Sequence, residues 1–129
     1  MQRQCDKYKL PWMCPTTFPR LSLLPMRVAL LGATKPWMGE FCRRVMLRNF
    51  AEDLDISAHE SVGQILTKLD LPVEETIHEA QAEPNKLRLR EQTATAVRRG
   101  IFGAPTFFVG DEMFWGNDRL DDALALASK

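Results

Sequence analysis

Read by the spacing of its apolar positions, the chain is a succession of short helices that gives way to strands only near its end. Residues 3–9 fit the tail of a helix, and "PWMCPTTFP", residues 11–19, carries three prolines in nine positions. Proline removes donors and restricts its neighbours, so an ordered loop is expected there. From Ser22 the period turns helical through Leu23, Leu24, Met26, Val28, Ala29 and Leu30, with Pro25 tolerable only near the first turn and Gly32 as the stop. Pro36 is expected to open the next helix, with Thr34 or Lys35 in the cap region and Phe41, Val45, Met46 and Phe50 as its apolar stripe. Ser57 and Glu60 have the S-x-x-E spacing of a capping box, ahead of Val62, Ile65, Leu66 and Leu69 on one face. Leu71-Pro72 breaks that helix, and a shorter one is expected from Val73 to Ala80. Pro84 suits the first turn of another, which runs to Arg99 with Leu87, Leu89, Ala94 and Val97 recurring along it. Gly100 stands just past its end.

Only then does the period change to two. "PTFFV" and "EMFW" read as short strands, and Gly110-Asp111 between them reads as a primed hairpin turn. Gly116-Asn117-Asp118 then caps a final helix through Leu120, Ala123, Leu124 and Leu126. A lone hairpin is marginal in water, and Phe107, Phe108 and Val109 are apolar on both faces, as in the middle of a sheet. The pattern looks like part of a sheet with its other strands elsewhere. Phe114 and Trp115 are expected in the core on the hairpin's inner face, with an aromatic substrate pocket as the alternative.

Composition narrows the classes of function. At 129 residues one domain is expected, with 17 acidic and 17 basic residues in balance. That balance gives no electrostatic footprint for nucleic acid or anionic membrane. No apolar run of about 18 residues is present, and the polar start "MQRQCDKYKL" lacks the apolar stretch of a secretory signal, so a cytoplasmic location is expected. Cys5, Cys14 and Cys42 include no C-x-x-C pair. Three free thiols and no cysteine zinc site are expected. His59 and His78 form no H-x-x-x-H pair and read as exposed helix residues. No metal site is expected.

"GIFGAPTFFVGDEMFWGNDRL", residues 100–120, resembles the C-terminal half of the thioredoxin fold as used by the DsbA-like and kappa-class glutathione transferase group. Within that group the chain is similar to the 2-hydroxychromene-2-carboxylate isomerases, in which a helical insertion runs into G-x-F-G-x-P-T-F-F-V, a hairpin and W-G-x-D-R-L. "NFAEDLDIS", residues 49–57, and "FPRLSLLPMR", residues 18–27, resemble the insertion. The resemblance implies an α/β, mostly helical, partial thioredoxin-like fold. Its α-helical insertion region would be 1–100, and its C-terminal ββα half 101–129. Nothing in the chain matches the family's N-terminal strand–Ser-loop–strand unit, so the sequence looks like the family's last two-thirds.

The same resemblance implies glutathione as cofactor and a small aromatic substrate. Ala104-Pro105 would match the family's cis-proline, where the Ala104 backbone pairs with the cysteinyl part of the tripeptide as an added strand would. Asn117 and Asp118, at a helix start, would hold the γ-glutamyl end. From the residues alone, a trans proline at a strand start and plain capping remain open for these positions. In the complete isomerase, the Ser-loop hydroxyl would stabilise the glutathione thiolate, which adds to the substrate, permits bond rotation and leaves. The catalytic residue in this chain is unknown on that reading, and the chain alone is expected to be catalytically incomplete. Where relatives read F-P-x-N, this chain has Leu21 in place of Asn. Two other readings stand beside it. One is a DsbA-like thiol-disulfide oxidoreductase, for which Cys14 is the candidate thiol or else an idle one. The other is a non-enzymatic helical remnant that assembles, as a homodimer or otherwise, through its open hairpin edge.

Overall fold

A computed structural model describes all residues 1–129. It divides into two compact units, Met1–Arg90 and Glu91–Lys129. In the first, α1 spans Gln2–Tyr8, α2 Leu23–Leu31, α3 Met38–Phe50, α4 His59–Thr67 and α5 Val73–Ala80. Helix α6, Glu83–Arg98, begins in the first unit and ends in the second. The second continues with β1 Thr106–Val109, β2 Glu112–Trp115, a 3₁₀ turn at Asn117–Arg119 and α7 Leu120–Ala127. The expected fold class, mostly helical with a C-terminal hairpin and helix, is the one observed.

The core of the first unit lies where α2, α3, α4 and α5 meet. Val28, Phe41, Val62, Leu66 and Ala80 are buried there, joined by Ile56, Ile65 and Ile77. Burying a side chain of Leu, Val or Phe size contributes roughly 1.5–3 kcal/mol, so this cluster supplies most of the unit's drive to fold. Buried Asn85 reaches from α6 to the carbonyls of Arg27 at 3.0 Å and Ala80 at 2.8 Å, fastening α6 to the ends of α2 and α5.

Three local expectations need correction. Pro36 precedes α3 without opening it, because the helix starts at Met38 with Trp37 at its N-cap. On α3 the buried face runs Phe41, Val45, Asn49, while Met46 is 57% exposed. The stripe therefore follows the i, i+4 ridge, and its polar member is buried. The capping box does not form. Ser57 donates its hydroxyl to Asp55 at 2.6 Å instead of capping α4, and the Asp55 carboxylate accepts the backbone N–H groups of Ser57 and Ala58. Asp55 thus orders the approach to α4 through a local turn, and the helix itself starts at His59 without a side-chain cap.

Candidate functional site

The hairpin positions the sequence-derived site. Thr106 pairs with Trp115 and Val109 with Glu112 in an antiparallel ladder. Gly110 has φ +59° and Asp111 does not share that region, which fits a turn needing positive φ at its first central residue only. At the open end, the Gly116 N–H donates to the Pro105 carbonyl at 2.9 Å. The register thus brings Ala104-Pro105 and Gly116-Asn117-Asp118 to the same end of the hairpin. The Ala104–Pro105 peptide bond is cis, as is Phe18–Pro19. Ala104 and Pro105 are exposed in the bend before β1, and Asn117 and Asp118 are exposed in the 3₁₀ turn.

Side-chain capping at this helix start is not what the structure shows. The N-cap of the turn is Gly116 and that of α7 is Arg119, and neither makes a side-chain cap bond. Gly116 has φ +109°, and a Cβ there would meet the Asp118 carboxylate. Glycine at this point lets Asp118 fold back over the strand end. Arg119 pairs with Asp122 at 3.0 Å on the exposed face of the helix.

Trp115 is not core. It is 53% exposed and packs at a tilt of 55° against Phe102, itself 68% exposed, at 5.0 Å between ring centroids, while Phe114 is half-buried. The alternation of β2 turns Met113 and Trp115 to the face opposite Phe114. A Cβ at Gly103 would overlap the indole Nε1, so glycine is what admits the ring there. Phe107–Val109 are all half-buried. Helix α7 packs along β1, and the Arg99 guanidinium lies over the Phe108 ring at 3.5 Å from its centroid. Arg99 and Phe108 stand nine positions apart, so local spacing does not announce that contact.

The prolines of the 11–19 loop lead to a second feature that the spacing of residues did not announce. Arg20 is held at the C-terminal end of α3. It donates to Asn49 Oδ1 at 2.8 Å, to the Asp53 carbonyl at 3.1 Å and to Asp53 Oδ1 at 2.5 Å. The Arg20 hydrogen bond, followed by the Thr16 N–H, lowers the Asp53 pKa. Buried Asn49, in phase with Phe41 and Val45, was the available signal. Leu21 is 78% exposed, and the neighbouring Arg20 is what ties this loop to α3. Between α2, α3 and this loop lies a cavity of about 340 Å³.

The thiols are all free: Cys14 is exposed, Cys5 and Cys42 are half-buried, and burial raises the Cys42 pKa. His59 is exposed and 3.4 Å from Glu74. No helix is long and apolar enough to cross a membrane.

Over 33 residues, the chain is 64% identical to 2-hydroxychromene-2-carboxylate isomerase of Pseudomonas putida, which is 26% of this chain and 16% of that protein. It is 59% identical over 32 residues to the same-named protein of Sphingobium xenophagum, again 16% of the relative. A solved 2-hydroxychromene-2-carboxylate isomerase superposes with a TM-score of 0.84 at 25% identity, over 98% of this chain and 62% of that one. The chain thus spans less than two-thirds of the isomerase whose structure it matches. Residues 1–126 match the model of the DsbA-like thioredoxin domain, and with a fold and hairpin of the same kind, the chain belongs to that family.

Proposed function

We propose that the chain carries the glutathione-docking part of an isomerase of the 2-hydroxychromene-2-carboxylate type, acting on a small aromatic substrate. A fold alone hosts many chemistries. The observation that carries the reading is therefore the run of 33 residues 64% identical to the Pseudomonas putida isomerase.

The exposed groups at the hairpin's open end fit such a cofactor. The Ala104 backbone lies one residue beyond the last ladder bond, Gly116 to Pro105, and so can accept an extended peptide as a further strand. Asp118 presents a carboxylate for the α-ammonium of a γ-glutamyl group. The backbone and side chain of Asn117 meet its carboxylate, at the positive end of the turn that leads into α7. When bound, glutathione supplies the thiol nucleophile. The exposed Phe102–Trp115 pair, beside Gly103, offers an aromatic face next to Ala104.

Calorimetric titration of glutathione into the 129-residue chain tests the docking. Binding should weaken roughly ten- to a hundredfold in Asp118→Ala, the loss expected for a hydrogen bond to a charged group at about 1.5–3 kcal/mol. S-methylglutathione should bind as glutathione does, since the contacts are to its backbone and γ-glutamyl end. Binding that ignores Asp118→Ala, or no binding at all, would overturn the assignment.

A further inference from the structure

An extended peptide docking on the Ala104 backbone needs the N–H and C=O of that residue free and held in one direction. Ala104 is exposed, and neither group has a partner in the chain. Residues 101–105 belong to no helix or strand, so contacts outside regular structure must supply the direction. Three such contacts bracket Ala104. After it, the Pro105 carbonyl accepts the Gly116 N–H at 2.9 Å. Before it, the Gly103 carbonyl accepts the Thr106 hydroxyl at 2.6 Å. The Trp115 indole also lies against Gly103, where a Cβ would overlap its Nε1.

The hydroxyl bond acts on Ala104 most directly. A trans peptide unit is planar, with its N–H and C=O pointing opposite ways. The Gly103 carbonyl and the Ala104 N–H belong to one such unit, so the group that holds the carbonyl also sets where the N–H points. A carbonyl that accepts a hydrogen bond polarises its own amide, which strengthens the N–H as a donor. The hydroxyl is itself well fixed. Thr106 is the first residue of β1 and pairs across the ladder with Trp115, and its branched side chain has little χ1 freedom. Strand pairing alone asks for no hydroxyl there, since valine suits a strand equally.

We infer that Thr106 is a positioning residue whose hydroxyl aims the Ala104 N–H at the incoming peptide, a role that rests on the glutathione docking proposed above.

The test is an amide-resolved NMR titration of glutathione into the 129-residue chain as parent, Thr106→Val, Thr106→Ser and Asp118→Ala. Valine keeps the branched shape of threonine and removes the hydroxyl. Thr106→Val should weaken binding roughly three- to tenfold, the change expected for one neutral hydrogen bond. At saturating glutathione its Asn117 and Asp118 amides should still respond, while the Ala104 amide should not. Thr106→Ser should restore both the affinity and the Ala104 response. A purely structural role would instead diminish all three sites together, and that result overturns the inference. So does parental affinity in Thr106→Val, a failure of Thr106→Ser to restore it, or lost hydrogen-exchange protection along Phe107–Trp115 in Thr106→Val. Asp118→Ala separates the two readings. Parental binding that weakens in Asp118→Ala but not in Thr106→Val removes the Thr106 role alone. A parent that does not bind, or binds regardless of Asp118→Ala, removes the docking site and the Thr106 role with it.

Discussion

Asp55 concentrates more local structure than any residue near it. Its carboxylate accepts from the Ser57 N–H and hydroxyl, the Ala58 N–H and the Ser61 hydroxyl, at 2.6–3.0 Å. These bonds, the Ser57 hydroxyl first and then the Ala58 amide, hold its pKa far below the ordinary carboxylate range. Asp53, bound by Arg20 and Thr16, is shifted the same way. A carboxyl whose folded pKa is depressed stabilises the fold fully above its unfolded value, near 3.9, and loses that contribution as pH falls through the folded pKa. Chemical denaturation of the parent should therefore show stability falling as pH drops below about 4. Asp55→Ala should cost about 1.5–3 kcal/mol at neutral pH, the range for losing hydrogen bonds to a charged group, and should flatten the acid decline. An equal acid slope in parent and variant would show that other groups govern it.

Among the elements, the hairpin is the most economical in its demands. Four residues pair with four, and Gly110 alone of the turn pair takes positive φ. A β-branched residue is a poor occupant of that region, so Gly110→Val should destabilise the hairpin by roughly 1–2 kcal/mol. Hydrogen exchange at the Phe107–Trp115 amides is the sensitive readout, because local opening exposes them without global unfolding. Unchanged protection would mean that the turn does not set the register. Elements were legible wherever the chain itself dictates them: Pro72 before α5, Gly100 after α6, and the Gly-x pair between strands. The start of α4 was not legible because the Ser57 hydroxyl can either accept a backbone N–H as a cap or donate to a nearby carboxylate, and only folding shows that it donates to Asp55.

At the scale of the molecule, the clustered core is confined to residues between Val28 and Ala80. Residues 91–129 carry two four-residue strands, the 3₁₀ turn and α7, with Ala123 the buried hydrophobic residue among them. Residues 1–90 expressed alone should keep helical dichroism and melt cooperatively. Residues 91–129 alone should show no cooperative transition, since a two-stranded hairpin is marginal in water. A non-cooperative 1–90 fragment would place the source of stability elsewhere.

The sequence by itself determined the order of helices, hairpin and closing helix, whereas Ala104, Pro105, Asn117 and Asp118 were proposed as a site only through a family resemblance. Backbone chemistry is local: a proline, a glycine and an alternation act within a few residues, and a motif such as "GAPTFFV" travels as a unit. Tertiary structure decided what depends on partners distant in the chain. It gave Arg20 to Asn49 and Asp53, more than 28 residues away, and buried an asparagine on an apolar stripe. It set Trp115 outside against Phe102, and it opened a chamber between α2 and α3 that neither helix encodes alone. Those outcomes follow from which side chain reaches which donor or surface first, and spacing along one strand or helix does not contain that information.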